Sequence, residues 1–184
     1  MTPTVVAADL SHLVALQAIY AHWVTHSLAS FEEAPPDIEE MDHRRRQVQQ
    51  LGLPYLVALD GALIAGFAYA GPYRTRPSYR YTVEDSVYVA PEAQGRGIGR
   101  LLLAEVIRRA ERRGLRQMVA VIGDSANNAS VGLHEAMGFR RVGVLESVGF
   151  KHGRWVDSVL MQRPLGLADT SDPHDSKLLR SGAA

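Results

Sequence analysis

The chain contains no cysteine. Disulfide staples, thiolate nucleophiles and zinc–thiolate centres are thereby excluded together. Net charge is absent too: 20 basic residues cancel 20 acidic ones, leaving no overall field to draw nucleic acid or an anionic membrane. No apolar run has membrane-spanning length, and residues 1–8 carry neither the basic nor the apolar region of a secretory signal. The expectation is a cytoplasmic protein with no nucleic-acid or membrane partner. Internal repeats are lacking. His22 and His26 stand four apart, as a metal pair could, but no third ligand accompanies them, so no metal site is expected. The run Arg44-Arg45-Arg46 has no aromatic interleaving and predicts a wet helix face.

What is present suits one globular domain. Of 184 residues, 46% are hydrophobic and 22% charged, enough for a sizeable core. Val5 to Ala8 predicts a short strand, and Asp9 caps a helix through Leu10, Leu13, Leu16, Tyr20 and Trp23. Pro35-Pro36 opens a second helix, 38–51, with Met41, Val48 and Leu51 toward the core. Strands at 55–59 and 62–69 flank Asp60-Gly61, a hairpin signal. Further strands are expected at 81–89, 117–122, 140–150 and 155–163, with helices from Gly97 to Gly114 and over 130–137. This order gives an α/β (α+β) domain over 1–166, a mixed central sheet with helices on both faces. From 167 to 184 the composition turns to Asp, Ser, Pro and Gly, which predicts a mobile tail.

The centre of the chain is a strand, a glycine-rich turn and a helix. Gln94-Gly95-Arg96-Gly97-Ile98-Gly99-Arg100 stands where the helix begins. There the first N–H groups lack partners and the positive end of the helix dipole faces outward, so the turn suits an anion. Three glycines let backbone approach a phosphate, and Arg96 and Arg100 add charge. A P-loop would need Lys and Ser or Thr after the last glycine, where Arg100-Leu101 stands. A dinucleotide fingerprint would need a small residue at 100.

Gln94-x-x-Gly97-x-Gly99 resembles the pyrophosphate loop of the GCN5-related N-acetyltransferases (GNAT). Five spaced stretches narrow this: 68–73, 81–89, 119–123, 130–139 and 149–155 are similar to the phosphinothricin and methionine sulfoximine N-acetyltransferases. The resemblance implies acetyl-CoA as co-substrate, with no metal. Val87, Tyr88 and Val89 would pair with the pantetheine arm. Gln94, Gly95, Arg96, Gly97, Ile98, Gly99 and Arg100 would hold the pyrophosphate, and Asn127 and Ser130 would meet the pantetheine or thioester. A turn or N-cap role is the other reading of Asn127.

Transfer of acetyl from a thioester to an amine needs a base, because an amine is mostly ammonium at pH 7. The resemblance assigns that base to Glu84; a strand glutamate paired with a nearby arginine is the other reading. His134 stands where many relatives carry a tyrosine, to assist the thiolate, hold the acceptor or serve structure. The Val89 N–H would polarise the carbonyl. Arg74, Arg76 and the neighbouring Arg80 suit a small amino acid with a second anionic group, with Phe31, Tyr73, Tyr79 and Tyr81 as walls. A small-molecule amine is therefore the expected acceptor and a homodimer the expected assembly, the latter by resemblance alone. Acetylation of a protein or peptide amine, or acyl-CoA sensing without catalysis, are the alternatives.

Overall fold

A computed structural model describes residues 2–173. Its elements follow the expected order: β1 (Thr4–Ala7), α1 (Leu13–His26), α2 (Ile38–Gln50), β2 (Tyr55–Asp60), β3 (Leu63–Pro72), β4 (Thr82–Val89), α3 (Ile98–Arg112), β5 (Gln117–Gly123), α4 (Asn128–Ala136), β6 (Arg140–Lys151) and β7 (Arg154–Pro164). The strands form one sheet in the order β1-β2-β3-β4-β5-β7-β6. Every neighbouring pair is antiparallel except β4 and β5. The parallel pair needs a crossover, and α3 supplies it.

Side-chain alternation along β4 assigns the helices to two faces. Tyr88 meets the Tyr20 ring of α1 edge-on at 4.8 Å, while Asp85, an odd number of positions away, bonds to α4. Glu84, Ser86 and Tyr88 therefore share the face with α1, and Val83, Asp85 and Val87 the face with α4. The core fills both layers, and Leu16, Val24, Leu56, Phe67, Leu102, Leu103, Met118 and Met161 are all almost fully buried. Each such side chain contributes about 1.5–3 kcal/mol on leaving water.

Local chemistry sets the helix ends. Asp9 does cap, but it closes a capping box on a single 3-10 turn, Leu10–His12, so α1 starts three residues later than its apolar spacing suggests. Asp37 accepts the Glu40 N–H at 2.8 Å to start α2, and Glu39 and Glu40 lie near that positive end. Two expectations for α2 fail. Leu51 follows the last helical residue and is 54% exposed. Arg45, expected in water, is buried: its guanidinium bonds to Asp42 and Gln49 and reaches the Ala8 carbonyl. A long cation can be enclosed when its donors are satisfied, which helical spacing alone does not reveal.

Beyond residue 166, Ala168 and Ser171 accept hydrogen bonds from Arg116, at 3.1 Å each. The remainder of the expected tail, 174–184, lies outside the described residues. Among the described residues no helix is long and apolar enough to cross a membrane.

Candidate active site

The site begins where two strands part. β4 and β5 are paired only over 82–85 and 117–120. Past that point β4 stays with β3 as far as Val89, and β5 stays with β7 as far as Gly123. The strands splay into a cleft of about 350 Å³. Ala90 donates to Ala65 of the β3 side at 2.9 Å. By ladder alternation, the N–H and C=O of Val89 then point the other way, into the cleft. Trp23 confirms the direction, since its indole N–H reaches the Val89 carbonyl at 2.8 Å.

One end of the cleft is the glycine-rich turn. Gly95 and Gly97 have φ of 70° and 78°, a left-handed backbone that glycine adopts at little cost. Gln94, Gly95, Gly97, Ile98, Gly99 and Arg100 line the cleft, with the unpartnered N–H groups of the first turn of α3 among them. A Cβ at Gly99 would press on Leu133 at 3.2 Å. Arg96 is placed elsewhere: its guanidinium pairs with Asp60 at the β2–β3 hairpin. The opposite wall is the start of α4. Asn127 caps that helix by accepting the Ser130 N–H at 3.1 Å, and Asn127 and Ser130 both line the cleft beside Val87, Tyr88 and Val89.

His134, one turn after Ser130 on α4, is buried and fully bonded. Its Nδ1 lies 2.7 Å from the Ser130 carbonyl, which can only accept, so Nδ1 carries a proton. Its Nε2 lies 3.0 Å from Asp85 Oδ2. Burial works against the charged ring, but the hydrogen bond and charge of Asp85, with the Ser130 carbonyl, outweigh it and raise the histidine pKa. Neither ring nitrogen is left over for a thiolate. The other Asp85 oxygen, Oδ1, is buried without a partner among the described residues. Sequence reasoning passed over Asp85, which lies within the strand expected at 81–89. A buried charge in mid-strand was the available signal, but nothing linked it to a histidine 49 positions away.

A second pocket lies on the α1 face of the sheet, lined by Phe31, Tyr73, Arg74, Glu84, Leu145, Val148, Ser158 and Leu160. Val121 lines both cavities and marks where they meet. Glu84 is half-buried there, and its pKa is raised, first by desolvation and then by Asp85, with Arg74 opposing. No ion pair joins Glu84 to an arginine among the described residues. The Arg74 guanidinium lies 4.6 Å over the Tyr73 ring. Arg76, Tyr79 and Tyr81 do not line this pocket. Arg76 precedes the 3-10 turn Pro77–Tyr79, Tyr79 stacks edge-on against Tyr73, and Tyr81 lies under Arg80. His22 and His26 stack on each other, with His26 Nδ1 3.0 Å from the His22 carbonyl.

Comparison with known proteins agrees with this geometry. The family model described as the acetyltransferase (GNAT) family matches residues 16–139. The phosphinothricin N-acetyltransferase of Alcaligenes faecalis is 56% identical over 161 residues, covering 88% of this chain and 82% of that protein. The L-methionine sulfoximine/L-methionine sulfone acetyltransferase of Salmonella typhimurium is 40% identical, covering 88% and 94%. A crystal structure of a GNAT superfamily phosphinothricin acetyltransferase from Sinorhizobium meliloti, in complex with acetyl-CoA, superposes with a TM-score of 0.92 at 44% identity, covering 95% of each chain. With its splayed parallel strands, its left-handed glycine turn and these likenesses along most of its length, the chain belongs to the GNAT acetyltransferase family, in the branch of the phosphinothricin and methionine sulfoximine N-acetyltransferases.

Proposed function

We propose that this protein acetylates the amino group of a small amino-acid-like acceptor of the phosphinothricin, methionine sulfoximine or methionine sulfone type, by direct transfer from acetyl-CoA with Glu84 as general base. One observation carries the reading: a half-buried carboxylate with a raised pKa lines the second pocket, which shares the wall residue Val121 with the cleft. A base poised above the ordinary glutamate range takes a proton from an ammonium group more readily than an exposed carboxylate does.

Bound acetyl-CoA would supply an activated acetyl group. The residues that fit it are the glycine turn, for a pyrophosphate, and the free backbone edge of β4 from 86 to 89, for an extended arm. The Val89 N–H donates toward the carbonyl oxygen on which negative charge develops, and the Trp23–Val89 bond holds that peptide in place. Glu84 accepts the amine proton. Arg74 draws the acceptor's anionic group into the second pocket, against Phe31 and Tyr73. His134, with both nitrogens bonded, acts as the pin between α4 and β4 and not as the acid for the thiolate.

A homodimer is part of the proposal. Val142, Leu145, Val148, Phe150 and Trp155, on the edge strand β6 and its neighbour β7, are each about half exposed or more. Apolar side chains grouped at a sheet edge support burial by a second copy. Light scattering expects twice the mass of one chain. The function itself is tested by release of free thiol from acetyl-CoA with phosphinothricin, methionine sulfoximine, methionine sulfone, ordinary amino acids and a peptide. Turnover with the first three is expected. Turnover with the peptide alone overturns the small-acceptor reading, and no turnover overturns the enzyme.

A further inference from the structure

Lys151 is 5% exposed and has no carboxylate within ion-pair distance among the described residues. Its Nζ donates to the Ser30 carbonyl at 2.6 Å. Burying an ammonium group to hold one carbonyl is costly, and a methionine would fill the same space without that cost. Burial lowers the lysine pKa, with Glu32 and Glu33 opposing. Nothing in the chemistry above uses this group.

What it holds is the connection between α1 and α2. Ser30 is fixed from other directions as well: its hydroxyl lies 3.2 Å from the Tyr20 hydroxyl and accepts the Glu32 N–H at 3.2 Å. The next residue, Phe31, lies so close to β6 that a Cβ at Gly149 would overlap its ring. A Cβ at Gly123, at the end of β5, would overlap the Leu28 carbonyl in the same way. Gly149 has no positive φ, so space and not conformation explains it. Residues 27–32 thus form a strap laid across two bare positions of the sheet. Ala29 of the strap lines the cofactor cleft, and Phe31 lines the second pocket.

We infer that Lys151 is a positioning residue for acceptor recognition, tying down a strap whose Phe31 roofs the acceptor pocket. It touches neither substrate; it acts through the Ser30 carbonyl and the ring next to it. The inference rests on the proposed acetyltransferase reading and adds a specificity element to it.

The test is steady-state kinetics of Lys151→Met, Phe31→Ala and the double variant, with phosphinothricin and methionine sulfoximine as acceptors. Lys151→Met is expected to raise the acceptor KM by about tenfold or more while the acetyl-CoA KM stays within about twofold, the mark of lost acceptor binding. Phe31→Ala is expected to reproduce that split, and the double variant to add less than about twofold, because both changes remove one roof. An unchanged acceptor KM, an equal rise in both KM values, or single effects that multiply would each overturn the inference. Should Lys151→Met fail to fold, Gly149→Ala displaces Phe31 with the lysine intact, and the same KM split decides. A wild-type protein that turns over neither acceptor sinks the acetyltransferase reading, whereas normal wild-type turnover with unaltered variants sinks only the role of Lys151.

Discussion

The cleft proposed for the cofactor and the pocket proposed for the acceptor share Val121 as a wall, yet they are made of different material. The cleft is mostly backbone: a splayed strand edge, a left-handed glycine turn and the start of two helices. The pocket is mostly side chains, brought from the α1–α2 strap, the end of β3, β4 and the β6–β7 hairpin. Backbone recognition suits a ligand that never changes, and side-chain recognition leaves the acceptor open to alteration without disturbing the cofactor. Substitutions on the two sides should therefore separate in kinetics.

Glu84→Gln is expected to give the largest effect, a fall in turnover of about a hundredfold or more, with acetyl-CoA affinity by calorimetry nearly unchanged. Its pH dependence sharpens the point. Because burial raises the Glu84 pKa, the acid limb of kcat/KM should lie above the ordinary glutamate value of about 4.3, and the variant should lose that limb. Stability moves oppositely. Between the unfolded and the raised folded pKa the native state binds more protons, so stability falls as pH rises through that window. At pH 7 the ionised glutamate weakens the fold, and Glu84→Gln should melt slightly higher than wild type there, with the difference vanishing near pH 3.

Gly97→Val comes next. A β-branched residue at φ 78° is strained by roughly 1–3 kcal/mol, so cofactor affinity should weaken about tenfold or more while the acceptor KM holds. Arg74→Ala should do the reverse, raising the acceptor KM about tenfold through a lost charge-assisted contact and leaving acetyl-CoA alone. The smallest effect is expected from Asp60→Asn, which frees Arg96 from an ion pair whose arginine is half exposed to solvent. The cofactor KM should change by less than about threefold in either direction.

The same contrast explains what the sequence disclosed. The succession of strands and helices along the chain and the glycine turn were legible because each is written in consecutive residues by periodicity and glycine positions. The pairing of Phe31 with Gly149, of Trp23 with the Val89 carbonyl and of Asp85 with His134 joins residues 118, 66 and 49 positions apart, and no local pattern encodes such separations. Arg45 belongs with them. Its helical position marked it for water, and only the nearby Ala8 carbonyl, Asp42 and Gln49 made its burial tolerable. Of the arginines grouped near the acceptor loop, spacing could not single out Arg74, because the 3-10 turn at 77–79 carries Arg76 away from the pocket.

The doubly bonded imidazole of α4 also has a consequence for reagents. Carbethoxylation requires an unprotonated ring nitrogen open to solvent, and His134 offers none, whereas His22, His26 and His152 are better exposed. Diethyl pyrocarbonate should therefore label the outer histidines first, and mass spectrometry of the labelled peptides would find residue 134 modified only as the fold opens.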